Sequence, residues 1–308
     1  MTAYLIDNKR FNGLSKATHL HAKQRGMVFP TQAKAVSPIL WVALGVALVL
    51  PFGGFLRGLL KAWFNDPEFS FGVLIPVIVV YLLWKRREQL QSQVGPGLAG
   101  GMALAFVGCG LQVLSGLSGS FLISGIALII TILGAILYLW GLANFKIAGP
   151  PVGMLILMIP LPSYVVGELS WRLQGQASTI STVVLRFLGT PVMQDGNLLK
   201  LPNYVLEVKQ ACSGSRSIFA LLALAVILGL TATSSWWIRA LLIGAAPILA
   251  VGANIVRIVG TGLIAKRWGA LAADESLHLV WGILVFVIAV SGLLGFLRFF
   301  KWAANEHA

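Results

Sequence analysis

The sequence predicts an all-α polytopic membrane protein of about eight transmembrane helices, with a small extracytoplasmic amphipathic helix and a β-hairpin cap. Three observations carry that prediction. Of 308 residues, 57% are apolar and 11% charged, with a mean hydropathy of +0.86, whereas soluble domains carry about 25% charged residues. The apolar residues fall in runs long enough to cross a bilayer. The basic residues gather between those runs rather than within them. This composition excludes a water-soluble enzyme, a disordered chain and a collagen-like fibre, and two cysteines cannot staple a small secreted scaffold.

A hydrocarbon core about 30 Å thick needs about 20 apolar helical residues. Eight runs approach that length, over residues 36–56, 71–84, 98–114, 121–142, 152–166, 217–230, 240–265 and 277–299. The second and fifth are short and contain Pro76, and Pro160 with Pro162, so kinked or partly re-entrant geometry is expected there. Lys9, Arg10, Lys16, Lys23, Arg25 and Lys34 precede the first run and place the amino terminus in the cytoplasm. Lys85, Arg86 and Arg87 after the second run, Lys146, Arg239, and Arg298 with Lys301 all fall on the same inner side. Lys266 and Arg267 fall outside and oppose the scheme, partly offset by Asp274 and Glu275.

These assignments divide the chain into a basic cytoplasmic tail (1–35), a single integral-membrane domain (36–302) with an extracytoplasmic insertion at 167–211, and a cytoplasmic tail (303–308). No apolar signal-peptide core precedes Pro38. Within the insertion, residues 168–188, with Trp171, Arg172 and Arg186, have the spacing of an amphipathic helix lying in the interface. Asp195 and Gly196 then signal a hairpin turn, followed by strand-like residues at 197–201 and 204–209. The net charge of +13, from 23 Lys and Arg against 10 Asp and Glu, would suggest nucleic acid in a soluble protein. Here it reads as topology, so lipid is the expected partner and nucleic acid is not.

Chemistry concentrates at three places. Cys212 stands in Ala211-Cys212-Ser213-Gly214-Ser215-Arg216, where the insertion becomes the sixth run. A helix N-terminus there stabilises a thiolate, and Arg216, one turn on, adds a positive neighbour. Taken alone, the same segment also reads as a small buried cysteine in a tight helix start. Cys109, among Gly108, Gly110 and apolar residues, is assigned to packing. Asn254 and Arg257 are three residues apart and share a helical face in the seventh run. An intramembrane cation costs about 2.5–3.5 kcal/mol, so Arg257 should face a polar cavity with a partner; its alternative is snorkelling, with Asn254 as interhelical glue. His278 opens the eighth run after Asp274 and Glu275, with Gly282 one turn later; alone, a histidine near an acidic helix start is more often a satisfied surface residue than a catalyst. Loop charge places Cys212, Arg257 and His278 near one outer face. A thiol, a guanidinium and an imidazole together supply the parts of acyl transfer through a thioester. No cluster has metal-ligand spacing and no glycine loop cradles phosphate, so neither metal nor cofactor is expected.

At these residues the chain resembles the exosortase/archaeosortase family of integral-membrane cysteine transpeptidases. The resemblance runs from Trp63 and residues 66–88, through 196–202 and 212–217, to Asn254 with Arg257 and His278 with Gly282. It implies a bacterial inner-membrane enzyme whose catalytic set, Cys212, Arg257 and His278, faces the periplasm. Arg216 and Asn254 are expected in support. The substrates it implies are exported proteins carrying a carboxy-terminal PEP-CTERM tail: a Pro-Glu-Pro motif, a transmembrane helix and a basic cluster. The cleaved protein would pass to a surface acceptor, in a setting linked to exopolysaccharide production. Archaeal relatives commonly carry Arg where His278 stands, which points to the bacterial branch. Ser215 stands where the family usually has an apolar residue, and Phe71 where a His often precedes the glycine. Two other classes fit the same spans: a small-solute transporter with polar sites near the midplane, and a non-catalytic scaffold for polysaccharide export.

Overall fold

A computed structural model describes residues 50–202, 204–208, 214–269 and 275–304, with the backbone alone over 275–279. Residues 36–49 of the predicted first run lie outside the described residues, as does the whole amino-terminal tail. From Pro51 onward the chain forms one compact unit. Helix α1 (Gly53–Asn65) buries Phe55, Leu59 and Trp63, which recur every four residues and so form one stripe. The helix stops at Asp66-Pro67, where the Asp66 carboxylate accepts the Glu68 N–H at 2.9 Å and Pro67 cannot continue the ladder. A 3-10 turn (Ser70–Val73) leads into α2 (Leu74–Lys85). Pro76 sits in the first turn of α2, where proline is tolerated.

After the short α3 (Arg87–Ser92), α4 (Ala99–Ser118) and α5 (Phe121–Gly153) are joined by Gly119, at φ +66°, and by Ser120, whose hydroxyl caps α5. The two helices approach closely through residues without bulk. A Cβ on Gly134 would lie 2.8 Å from Ala105 Cα, and one on Gly108 2.8 Å from the Thr131 nitrogen, the small-residue contact by which membrane helices attract one another. The opposite face of α4 is apolar and open, with Phe106, Val113 and Leu117 exposed by 68, 67 and 83%, an arrangement stable in lipid and costly in water. Cys109 lies on that open face rather than in the packing expected for it; Gly108 makes the contact instead.

The fifth predicted span, 152–166, is not one helix: residues 152–158 end a helical limb that begins at 142, and 163–166 open the next helix. The chain folds back at Gly141 (φ 79°, ψ −176°), inside α5. If residues 125 to 159 formed one straight helix, about 50 Å would separate its ends, yet a Cβ on Gly125 would lie 3.0 Å from Ile159 Cγ2. The return limb runs from 142 through a 3-10 segment (Met154–Met158) and ends where Met158 O accepts the Trp63 indole N–H at 3.0 Å. Pro160 and Pro162 then break the chain, and Pro162, at ψ 138°, precedes the next helix. The fold-back frees α5 carbonyls that need donors: Gly95 N–H donates to Trp140 O and Leu98 N–H to Leu137 O, both at 3.3 Å.

Helix α6 (Ser163–Phe187) is longer than the predicted amphipathic segment, and its buried face, Ser170, Gln174, Ser178, Ser181 and Thr182, is mostly small and polar. Strands β1 (Met193–Asp195), β2 (Leu198–Leu201) and β3 (Tyr204–Glu207) form an antiparallel sheet in the order β1-β2-β3. The Asp195-Gly196 turn joins the first two strands, with Gly196 at φ +58°. Leu199, Leu201 and Leu206 are buried with Leu185, Ile258 and Val259. Helices α7 (Ser215–Ala232), α8 (Trp236–Trp268) and α9 (Glu275–Ala303) pack around Leu221, Leu242, Ala246, Ala250 and Leu293, each completely buried.

Among the described residues, five helical segments are long and apolar enough to cross a membrane: Ala99–Ser118, Phe121–Met158, Ser215–Ala232, Trp236–Trp268 and Val280–Ala303, with Ser70–Lys85 shorter. The chain is therefore a mostly helical, multi-pass membrane protein. The return at Gly141 divides the second of these segments into two limbs.

Candidate active site

The site is built where α7 begins. Gly214 caps α7 in the left-handed conformation (φ 86°, ψ −4°), which a residue with a Cβ adopts only with strain. A Cβ there would also lie 3.1 Å from Asn254 Cβ and 3.3 Å from its Nδ2. The start of α7 is thus seated on the Asn254 side chain, itself 5% exposed. Ser215, the next residue, is buried, and its hydroxyl donates to Glu68 Oε1 at 3.0 Å. Phe219, one turn along, stacks on Phe69 with ring centroids 5.7 Å apart. Arg216 is exposed and close enough to Glu68 to attract it.

Arg257 lies one turn beyond Asn254 on the same face of α8. Its carbonyl accepts the Trp281 indole N–H at 3.0 Å and the Thr261 hydroxyl at 2.9 Å. Its guanidinium lies against the α9 backbone: a Cβ on Gly282 would sit 3.3 Å from both Cζ and Nη2. The Arg257 Nε is buried and has no hydrogen-bond partner among the described residues. Arg257 therefore joins α8 to α9, as Asn254 joins α8 to α7.

Helix lengths explain the level at which these contacts fall. Helix α7 has 18 residues, about 27 Å, and Asn254 stands the same distance along α8 from Trp236. Helix α8 has 33 residues, about 50 Å, and so overruns a hydrocarbon core of about 30 Å. Its last turns pack beyond the start of α7, where Gly262 meets Leu185 and Lys266 Nζ donates to Gly189 O at 2.9 Å. Arg257 consequently stands level with the first turn of α7, at the end of the bundle where α7 and α9 begin. Lys266 serves this packing of the last turns of α8.

Of the predicted residues, Asn254, Arg257 and Arg216 are brought to one region, with Gly214 and Gly282. Cys212 lies outside the described residues, two positions before Gly214 in sequence. The backbone at His278 is helical, one turn before Gly282, and its side chain lies outside the described residues. Glu68 was missed as a site residue because it reads as a loop charge beside Asp66. Its carboxyl is held above the usual carboxylate range, first by burial and then by the Asp66 charge, against the opposing pull of the Ser215 hydrogen bond and Arg216. Trp281 was also missed, since an indole in an apolar run gives no sign of bonding a backbone carbonyl. Among the described residues no group of three His, Cys, Asp or Glu side chains could hold a metal ion.

Fold and site together define a multi-pass membrane protein with a polar junction between helices at one end of its bundle. Residues 63–295 match a family model described as transmembrane exosortase (Exosortase_EpsH), and the chain belongs to that family. No curated protein and no solved structure matches it. Exosortases are generally membrane proteases or transpeptidases, so membership suggests a transpeptidase role and implies protein substrates that bear sorting signals.

Proposed function

We propose that this exosortase cleaves the PEP-CTERM tail of exported proteins at Cys212 through a thioester and transfers them to a surface acceptor. The Cys212 thiolate attacks the scissile carbonyl to give a tetrahedral oxyanion. As that collapses, the C–N bond breaks and His278 delivers a proton to the departing amine. An acceptor nucleophile then loses its proton to His278, attacks the thioester and releases the cysteine sulfur. Arg257 stabilises the oxyanion in both halves, with Arg216 and Asn254 in support. The site faces the periplasm from a bacterial inner membrane, alongside exopolysaccharide production.

The observation that carries this reading is the Arg257 guanidinium, lying on Gly282 with a buried Nε that has no partner among the described residues. It lies against the helix that carries His278, one turn from Asn254, on which the segment after Cys212 is seated, and a buried donor is costly until an acceptor meets it. A transport site belongs near the midplane, whereas Asn254 and Arg257 stand near one end of the bundle. The test is co-expression with a reporter bearing a Pro-Glu-Pro tail, its transmembrane helix and its basic cluster. Cys212→Ala should abolish processing at normal expression; processed reporter with that variant would remove the nucleophile assignment.

A further inference from the structure

The mechanism above makes no use of Glu68, yet this carboxylate sits where α7 begins. It lies in the turn between α1 and the Ser70–Val73 segment, held by its own N–H to Asp66 Oδ1 at 2.9 Å. Two adjacent residues of that turn grip two positions one helical turn apart on α7: Glu68 accepts the Ser215 hydroxyl at 3.0 Å, and Phe69 stacks on Phe219 at 5.7 Å. Behind the turn, Trp63 is fixed by its bond to Met158 O at 3.0 Å and fills the space that a Cβ on Gly72 would need. The grip therefore comes from a rigid wall, not a free loop. A carboxylate drawn partly out of water is costly unless its hydrogen bonds are used, and a hydroxyl donated to a carboxylate is among the stronger ones.

We propose that Glu68 is a positioning residue: through Ser215 it fixes the start of α7, and with it the chain that delivers Cys212 to Arg257. The raised proton affinity of Glu68 fits a partly buried acceptor kept for geometry rather than for solubility. The proposal rests on the reading of Cys212 as nucleophile, and its test separates the two.

In the full chain carrying Cys109→Ala, Cys212 is the one remaining thiol, so its modification by N-ethylmaleimide can be followed beside processing of the tailed reporter. Ser215→Ala should slow both by about tenfold with Glu68 present, and by less than about twofold in a Glu68→Ala background, because coupled groups are not additive. In Glu68→Gln, whose Oε1 still accepts, the tenfold effect should persist; that variant alone decides the matter if Glu68→Ala fails to accumulate. An equal effect of Ser215→Ala in the wild-type and Glu68→Ala backgrounds, or its disappearance in Glu68→Gln, overturns the latch. If the thiol shows the expected coupling while no variant, wild type included, processes the reporter, the catalytic reading falls and the latch stands.

Discussion

Arg257, Gly282 and Glu68 show what single atoms decide in this site. A methyl group on Gly282 would lie 3.3 Å from the Arg257 guanidinium, so Gly282→Ala must shift that group by a few tenths of an ångström. Single donors to a developing oxyanion contribute about 10²–10³ in kcat. Arg257→Ala should therefore cost about that factor, and Gly282→Ala about tenfold, with KM little changed in either; a loss confined to KM would show that Arg257 binds substrate rather than the oxyanion. Glu68 gives a pH signature. Its folded-state proton affinity is raised above the ordinary value of 4.5, so the stability it contributes is complete below that pH and is lost as the pH rises through the raised value. Asp66 pushes in that direction and Arg216 against it. Glu68→Gln should accordingly gain in Tm relative to wild type between about pH 4 and pH 7; a constant difference would contradict the desolvation. Ser215 was legible as an oddity of sequence, but its use was not, because Glu68 is remote in sequence and becomes its neighbour only through packing.

Among the elements, α5 is where sequence and structure part. Hydropathy marks 121–142 and 152–166 as separate runs, whereas the chain turns sharply at Gly141 and resumes helix at once. Proline signals drew attention to 160–162, where a break does occur, but a single glycine gives no comparable sign: its φ of 79° with ψ of −176° is a conformation essentially restricted to glycine. Gly141→Ala should destabilise the protein by at least about 1–3 kcal/mol, read as a lowered Tm in detergent. The added Cβ would also lie 2.7 Å from Pro96 O, in the segment that satisfies the free carbonyls. An unchanged Tm would argue that α5 does not fold back there. Helix α6 was expected from its amphipathic spacing; what spacing could not give is that its serine face is buried, since small hydroxyls read as solvent-facing.

For the whole molecule, the fold-back sets which ends of the helices share a side of the membrane. With α4 and the two limbs of α5 crossing in turn, Ser118 and Ser163 belong to one end, and Gln93 and Lys146 to the other. Single cysteines at these four positions in a Cys109→Ala chain should label with an impermeant maleimide as two opposed pairs; Lys146→Cys labelling with Ser118→Cys would contradict the arrangement. The sequence by itself settled the solvent, since a chain this apolar is stable only in lipid, and the membership of its family, since the residues that carry it are local motifs. It also put Asn254 and Arg257 on one face, because helical period is a property of the chain alone. Only tertiary structure decided that α8 outruns the bilayer, that Gly141 reverses α5, and that a carboxylate from the first turn holds the helix that follows the cysteine. Each of those is held by contacts between segments far apart in sequence, through steric fit and the pairing of polar groups, and neither is encoded in periodicity.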